Sequence, residues 1–193
     1  MSRSLVLALL AALASGGAAG ALKPGDAAPA FRAPASLAGK GFDYSLADAL
    51  KKGPVVVYFY PSAFTGGCDL EAHTFAEDMD QFTKAGATVV GVSLDSMARL
   101  NDFSADPQYC AGKLPVVSDA DGAIAKSYEV EVSAGQPGAK DVRGQEIGHG
   151  FAKRTTFVVT PDGKIAASLA GIKPDEHVTQ ALAAVQKIKK PAS

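Results

Sequence analysis

Tryptophan is absent from the 193 residues, and cysteine occurs only twice, at Cys68 and Cys110. Two thiols are too few for a scaffold built on disulfides. Their placing also excludes a local dithiol, because Glu71 stands where C-x-x-C needs its second cysteine and Ala72 where C-x-x-x-C would. His73, His149 and His177 are scattered and give no zinc spacing with two cysteines, so no metal is expected. Neither G-x-G-x-x-G nor G-x-x-x-x-G-K occurs, which argues against a dinucleotide or a nucleotide triphosphate, and no cofactor is expected. Charge of one sign is lacking too. With 19 basic and 20 acidic residues, nothing calls for nucleic acid, and the one lysine-rich stretch, KIKK near the C-terminus, reads as a solvated helix end.

Long apolar runs are also missing. The N-terminus places Arg3 before an apolar stretch from Leu5 to Leu13, then small residues through Ala19, Gly20 and Ala21. That stretch is about half the roughly 20 residues a spanning helix needs. The pattern is that of a secretory signal peptide cut after Ala21, so residues 1–21 are expected to be a leader. An exported, periplasmic protein with no stable membrane insertion follows. Removing the leader leaves 172 residues, 18 of them basic and 20 acidic, for a formal charge of −2. One domain over 22–193 suits that length.

Periodicity organises the rest. PVVVYFY (54–60) is a continuous β-branched and aromatic run, expected to be a strand buried on both faces. From Cys68 onward, Ala72, Phe75, Met79 and Phe82 recur at helical spacing until Gly86, which predicts an amphipathic helix. ATVVGVSL (87–94) reads as a second buried strand, SMARLNDFSAD as a short helix, KLPVVSD (113–119) as a third extended piece and DGAIAKSYEV as a helical turn. RTTFVVTPDGKIAASLAG predicts a hairpin turning at Pro161, Asp162 and Gly163, and a last helix runs from Pro174 to about Lys189. Between turn and hairpin, the glycine-rich segment 133–150 reads as a long irregular loop, with Arg143 and Lys153 expected to be solvated. A βαβ half followed by a ββα half is the thioredoxin-like arrangement: an α/β fold with a central mixed sheet flanked by helices.

Cys68 falls in the first turn after a buried strand, where free backbone N–H groups and the helix dipole favour a thiolate. Gly66 and Gly67 leave room for a small molecule to approach, and Thr65 is placed to cap the helix or to turn its hydroxyl toward the sulfur. A buried structural cysteine is the alternative, but Thr, Gly, Gly and Asp around it are not core-like.

PSAFTGGC fits the P-x-x-x-T-x-x-C motif of the peroxiredoxins, with Pro61, Thr65 and Cys68 on its fixed positions and Glu71 three residues on. RTTFVVTPDGKI resembles the later family segment in which an arginine leads into a strand, so Arg154 corresponds to the active-site arginine. Order and spacing are similar over roughly 24–188, and the chain looks most like the single-domain bacterioferritin comigratory type. The resemblance implies a thiol-dependent peroxidase that reduces hydrogen peroxide and organic hydroperoxides through a sulfenic acid at Cys68. It implies a thioredoxin-like or other dithiol reductant, and a monomer or homodimer. Arg154 would stabilise the thiolate and the departing oxygen, Thr65 would add a donor, and Glu71 would either hold the guanidinium or be a solvated helix carboxylate. In one branch of that type the second cysteine lies five residues after the first, but His73 stands there. Cys110 is then the candidate for resolution, with a structural disulfide or a free thiol as the alternatives. Its segment is expected to move, since few apolar residues are there to anchor it. A thioredoxin-like thiol–disulfide oxidoreductase and a non-catalytic binding module of that fold are the rival readings.

Overall fold

The structure, a computed structural model, describes residues 20–188. The expected leader therefore lies outside the described residues, save for its last two positions.

Val55–Phe59 forms the central strand, and its side chains alternate between two cores. Val56 and Tyr58 enter one apolar cluster, while Val55, Val57 and Phe59 enter the other. In chain order the sheet strands are β1 (Arg32–Leu37), β2 (Lys40–Ser45), β3 (Val55–Phe59), β4 (Thr88–Ser93), β5 (Val116–Ser118), β8 (Thr155–Val159) and β9 (Ile165–Ala170). They lie in the order β2-β1-β5-β4-β3-β8-β9. β3, β4 and β5 run parallel, whereas β8 is antiparallel to β3 and β9 to β8. This is the mixed, thioredoxin-like sheet that the order of elements predicts.

α2 (Gly66–Lys84), α3 (Met97–Ala105) and α5 (Pro174–Lys187) supply the first core, where Phe75, Phe82, Phe103 and Val178 join the cluster of Tyr58 and the Phe75 ring stacks on it. α1 (Leu46–Leu50) and α4 (Ala123–Ser127) cover the opposite face through Leu46, Ile124 and Ala125. Gly91 on β4 leaves the space that Tyr58 fills, because a Cβ there would sit 2.7 Å from the Tyr58 ring.

The first turn of α2 starts at Gly66, two residues before the expected beginning, so Cys68 is its third residue. The N-terminal β1–β2 hairpin has no counterpart in the sequence-based expectation. Segment 133–150 is largely irregular, as expected, but it is closed at its base by a two-residue ladder between β6 (Val132–Ser133) and β7 (Phe151–Ala152). The segment carrying Cys110 differs most from expectation. Leu100, Phe103 and Cys110 are all fully buried, and the Tyr109 ring packs 5.4 Å from both Phe64 and Phe103. The segment is anchored by aromatic contacts, and its opening costs core packing.

Candidate active site

β3 ends at Phe59, and the chain turns through Tyr60, half-buried Pro61 and Thr65 into α2, bringing Cys68 back over the carboxyl ends of the parallel strands. In open α/β sheets that edge is where ligands bind. Cys68 is 2 % exposed, although Gly66 and Gly67 beside it are on the surface. The non-core composition of its neighbours therefore gives a wrong impression of the thiol, whose side chain turns inward against Tyr58, Ala72 and Phe75.

Arg154 lies between β7 and β8. One guanidinium nitrogen donates to Cys68 Sγ at 3.3 Å and the other makes a short ion pair with Glu71 Oε2. Gly67 makes this approach possible, since a Cβ at that position would lie 3.2 Å from Arg154 Nη2. Glu71 is fully buried, which removes the solvated-carboxylate alternative, and its Oε1 has no hydrogen-bond partner. Thr65 is the N-cap residue by position, but its hydroxyl does not cap the helix; it donates to the Ser62 carbonyl at 2.7 Å.

The electrostatics depart from a simple activated thiolate. Burial pushes the Cys68 thiol up, against the Arg154 charge, the Ser62 backbone N–H, the Thr65 hydroxyl and the Arg154 hydrogen bond, all of which favour ionisation. Burial likewise pushes Glu71 up, to about 8, with Arg154 opposing. Arg154 itself is desolvated, yet Glu71 and Cys68 hold its proton more firmly than usual. Burial is the main cause in both acids, and Arg154 is the cation that opposes the rise in each.

Cys110 has none of these partners. It is fully buried, and burial together with Asp106 and Asp69 drives its thiol far above the ordinary range. Both cysteines are free thiols and share one apolar cluster. Ala111 and Gly112 just after Cys110 have φ of 51° and 67°, so the chain turns sharply there.

Beside the turn that leads to Cys68 lies a polar cluster that the sequence reading misses. Asp95, fully buried just after β4, accepts from Ser62 Oγ (2.8 Å), the Ala63 N–H (2.8 Å), Ser93 Oγ (2.7 Å) and His149 Nε2 (2.8 Å). Arg99 lies 3.0 Å from Asp95 and 2.8 Å from Asp141, and donates to the Ala63 carbonyl at 2.9 Å. Arg143, expected to be solvated, instead stacks its guanidinium 3.3 Å from the centre of the Phe64 ring. Phe64 itself has φ 58°, a left-handed conformation that costs a bulky residue on the order of 1–3 kcal/mol. His177 is buried too, hydrogen-bonded at Nδ1 to Thr156, whereas His73 meets only Glu77 on the surface. Lys153 is exposed as expected, paired with Glu131. The usable signal for Asp95 is its place at the carboxyl end of β4, next to that of β3.

A thioredoxin-like sheet with a helix-borne cysteine hydrogen-bonded to a half-buried arginine defines a thiol-based oxidoreductase. The family model that matches residues 24–168 is AhpC/TSA, and the chain belongs to that family. It is a peroxiredoxin, a thiol-dependent peroxidase. A Mycobacterium tuberculosis protein classed among the peroxiredoxins is 39 % identical over 159 residues, covering 82 % of this chain and 92 % of the relative. Peroxiredoxin Bcp of Xanthomonas campestris is 33 % identical over 132 residues, 68 % of this chain and 76 % of its own. The crystal structure of peroxidoxin BcpB from Mycobacterium tuberculosis aligns with a TM-score of 0.72 at 30 % identity, over 88 % of this chain and 99 % of that one.

Proposed function

We propose that Cys68 is the residue that attacks peroxide and that Arg154, Thr65, Pro61 and Glu71 complete its site. The observation that carries this reading is the Arg154 guanidinium, in contact with Cys68 Sγ at 3.3 Å and paired with Glu71 behind it. The Cys68 thiolate attacks one peroxide oxygen and the O–O bond breaks. The sulfur becomes a sulfenic acid, and the departing hydroxide or alkoxide takes a proton to leave as water or an alcohol. Arg154 supplies donors for the charge moving onto that oxygen, and the Thr65 hydroxyl adds one when it turns from the Ser62 carbonyl, each well-placed donor being worth about two to three orders of magnitude. Pro61 has no N–H to compete and fixes the turn out of β3.

Cys110 then condenses with the sulfenic acid, forming a Cys68–Cys110 disulfide and releasing water. A dithiol reductant, thioredoxin-like or otherwise, restores both thiols by exchange. The chain works as a monomer or homodimer after losing residues 1–21 on export to the periplasm. A one-cysteine cycle is the second reading, favoured by the complete burial of Cys110 under Phe103 and Tyr109.

Mass spectrometry of the reduced protein after one equivalent of peroxide separates the two. A bond between Cys68 and Cys110 is the expected product. Cys68 sulfenic acid alone, with Cys110 untouched, means the one-cysteine cycle. Cys68→Ser should abolish peroxide consumption, and substantial turnover in that variant removes Cys68 from the mechanism.

A further inference from the structure

We propose that His149 and Asp95 are positioning residues for the peroxide step: as an ion pair they hold the Ser62–Ala63 turn against the Cys68 sulfur. The inference rests on Cys68 as the nucleophile. A chain of contacts leads from the imidazole to the residue that bears the sulfur. His149 Nε2 meets Asp95 Oδ1 at 2.8 Å, and Asp95 accepts from the Ser62 hydroxyl and the Ala63 N–H. The Ser62 carbonyl takes the Thr65 hydroxyl at 2.7 Å, and the Thr65 carbonyl takes the Cys68 N–H at 2.8 Å, so the turn fixes the start of the helix that carries the thiol.

The hydrogen bonds of His149 define its charge. Nδ1 lies 2.8 Å from the Gly150 carbonyl, and Nε2 lies 2.8 Å from the Asp95 carboxylate. A carbonyl and an ionised carboxylate can only accept, so both ring nitrogens must carry protons, and the ring is an imidazolium. The neutral ring has one N–H and must release one of its two partners. Burial works against the imidazolium, but the hydrogen bond and charge of Asp95 and the Gly150 carbonyl outweigh it, and His149 titrates above its ordinary 6.5. Asp95 is held below the ordinary carboxylate range, since its donors overcome its own burial.

The charged groups around the ring come from three segments. Asp95 follows β4, Arg99 on α3 opposes the imidazolium, and Asp141 and Arg143 belong to the same loop as His149, with Asp141 neutralising Arg99 at 2.8 Å. Asp102 and Glu146 line the cavity of about 520 Å³ on which the ring borders. The pair is complete below the ordinary histidine value and is lost as pH rises through the raised one. The loop then loses its ionic hold on the Ser62–Ala63 turn. The Val142 N–H on the Phe64 carbonyl (2.9 Å) and the Arg143 stacking remain, so the loop slackens without leaving.

The test is the second-order rate of peroxide with the reduced, intact protein, measured across pH and divided by the thiolate fraction titrated in the same samples. No reductant is involved. In the wild type this normalised rate should fall roughly tenfold as pH rises past the His149 titration, a loss in keeping with a reacting group displaced by a fraction of an ångström. His149→Gln keeps a donor but has no charge to lose, and should give a flat profile near the lower wild-type plateau. His149→Arg, for which the adjoining cavity offers room, should give a flat profile near the upper one. A wild-type profile that is flat, or a Gln variant that keeps the wild-type fall, overturns the proposal. Both variants sit on a surface loop and leave the two cores intact, and Cys68→Ser is run alongside: turnover there would indict the nucleophile, not the positioning pair.

Discussion

Cys68 and Cys110 lie in one apolar cluster with Tyr58 and Tyr60, almost equally hidden from water, yet the charged groups beside them differ. Arg154 donates to the first, while the charged neighbours of the second are Asp106 and Asp69. Burial alone raises both thiols. On the proposed reading the difference in reactivity comes from the partners, and Cys68 reacts despite its burial rather than through exposure.

The comparison breaks most sharply at Arg154. Arg154→Met keeps the aliphatic stem and removes the charge, which makes the environment of Cys68 resemble that of Cys110. The Cys68 thiol should titrate still higher, and peroxide reduction should slow by about two to three orders of magnitude; stopped-flow kinetics and a thiol titration check both.

Tyr109→Ala probes the other side. Removing a half-buried ring that packs on Phe64 and Phe103 should cost about 1–2 kcal/mol in denaturant unfolding. It should also speed formation of the Cys68–Cys110 disulfide several-fold once sulfenic acid has formed, because the ring holds Cys110 in place. A slower or unchanged disulfide step means that the anchoring of Cys110 does not limit resolution.

The smallest effect concerns Glu71, which shares Arg154 with Cys68. Its carboxyl is raised in the folded protein by burial, so the fold binds a proton there that the unfolded chain releases near 4.5. Stability from this group is present below that value and declines as pH rises toward about 8. Glu71→Gln should flatten that decline in unfolding measurements across the same range. It should also lower the Cys68 titration, by freeing Arg154 to serve the thiolate alone.

The sequence made the sheet centre legible because β3 and β4 are rich in β-branched residues and α2 repeats its apolar residues at helical spacing. β1 and β2 were not legible. RAPASL and KGFDYS alternate only weakly, contain no β-branched residue and are interrupted by Pro34 and Gly41, and Arg32–Leu37 is a strand because β5 and β2 pair with its two edges. At the site, Pro61, Thr65, Cys68, Glu71 and Arg154 could be read from motif and order, although the motif did not disclose how deeply the sulfur is buried. Asp95, Arg99, Asp141 and His149 could not. Each is an ordinary polar residue in its own segment, and only tertiary folding brings the four together around Ala63.

The clasp on Phe64 has a further consequence for how such a protein can diverge. The ring is held in its unusual backbone conformation by Arg143 above it and Val142 at its carbonyl, both from an excursion tied at its base by only two residues of ladder. Surface excursions tolerate insertions and deletions at small cost to the fold. A descendant chain that gains or loses a residue between Gly135 and Gly148 keeps its sheet, its helices and both cysteines, and inherits a differently held Phe64 in the turn that leads to Cys68.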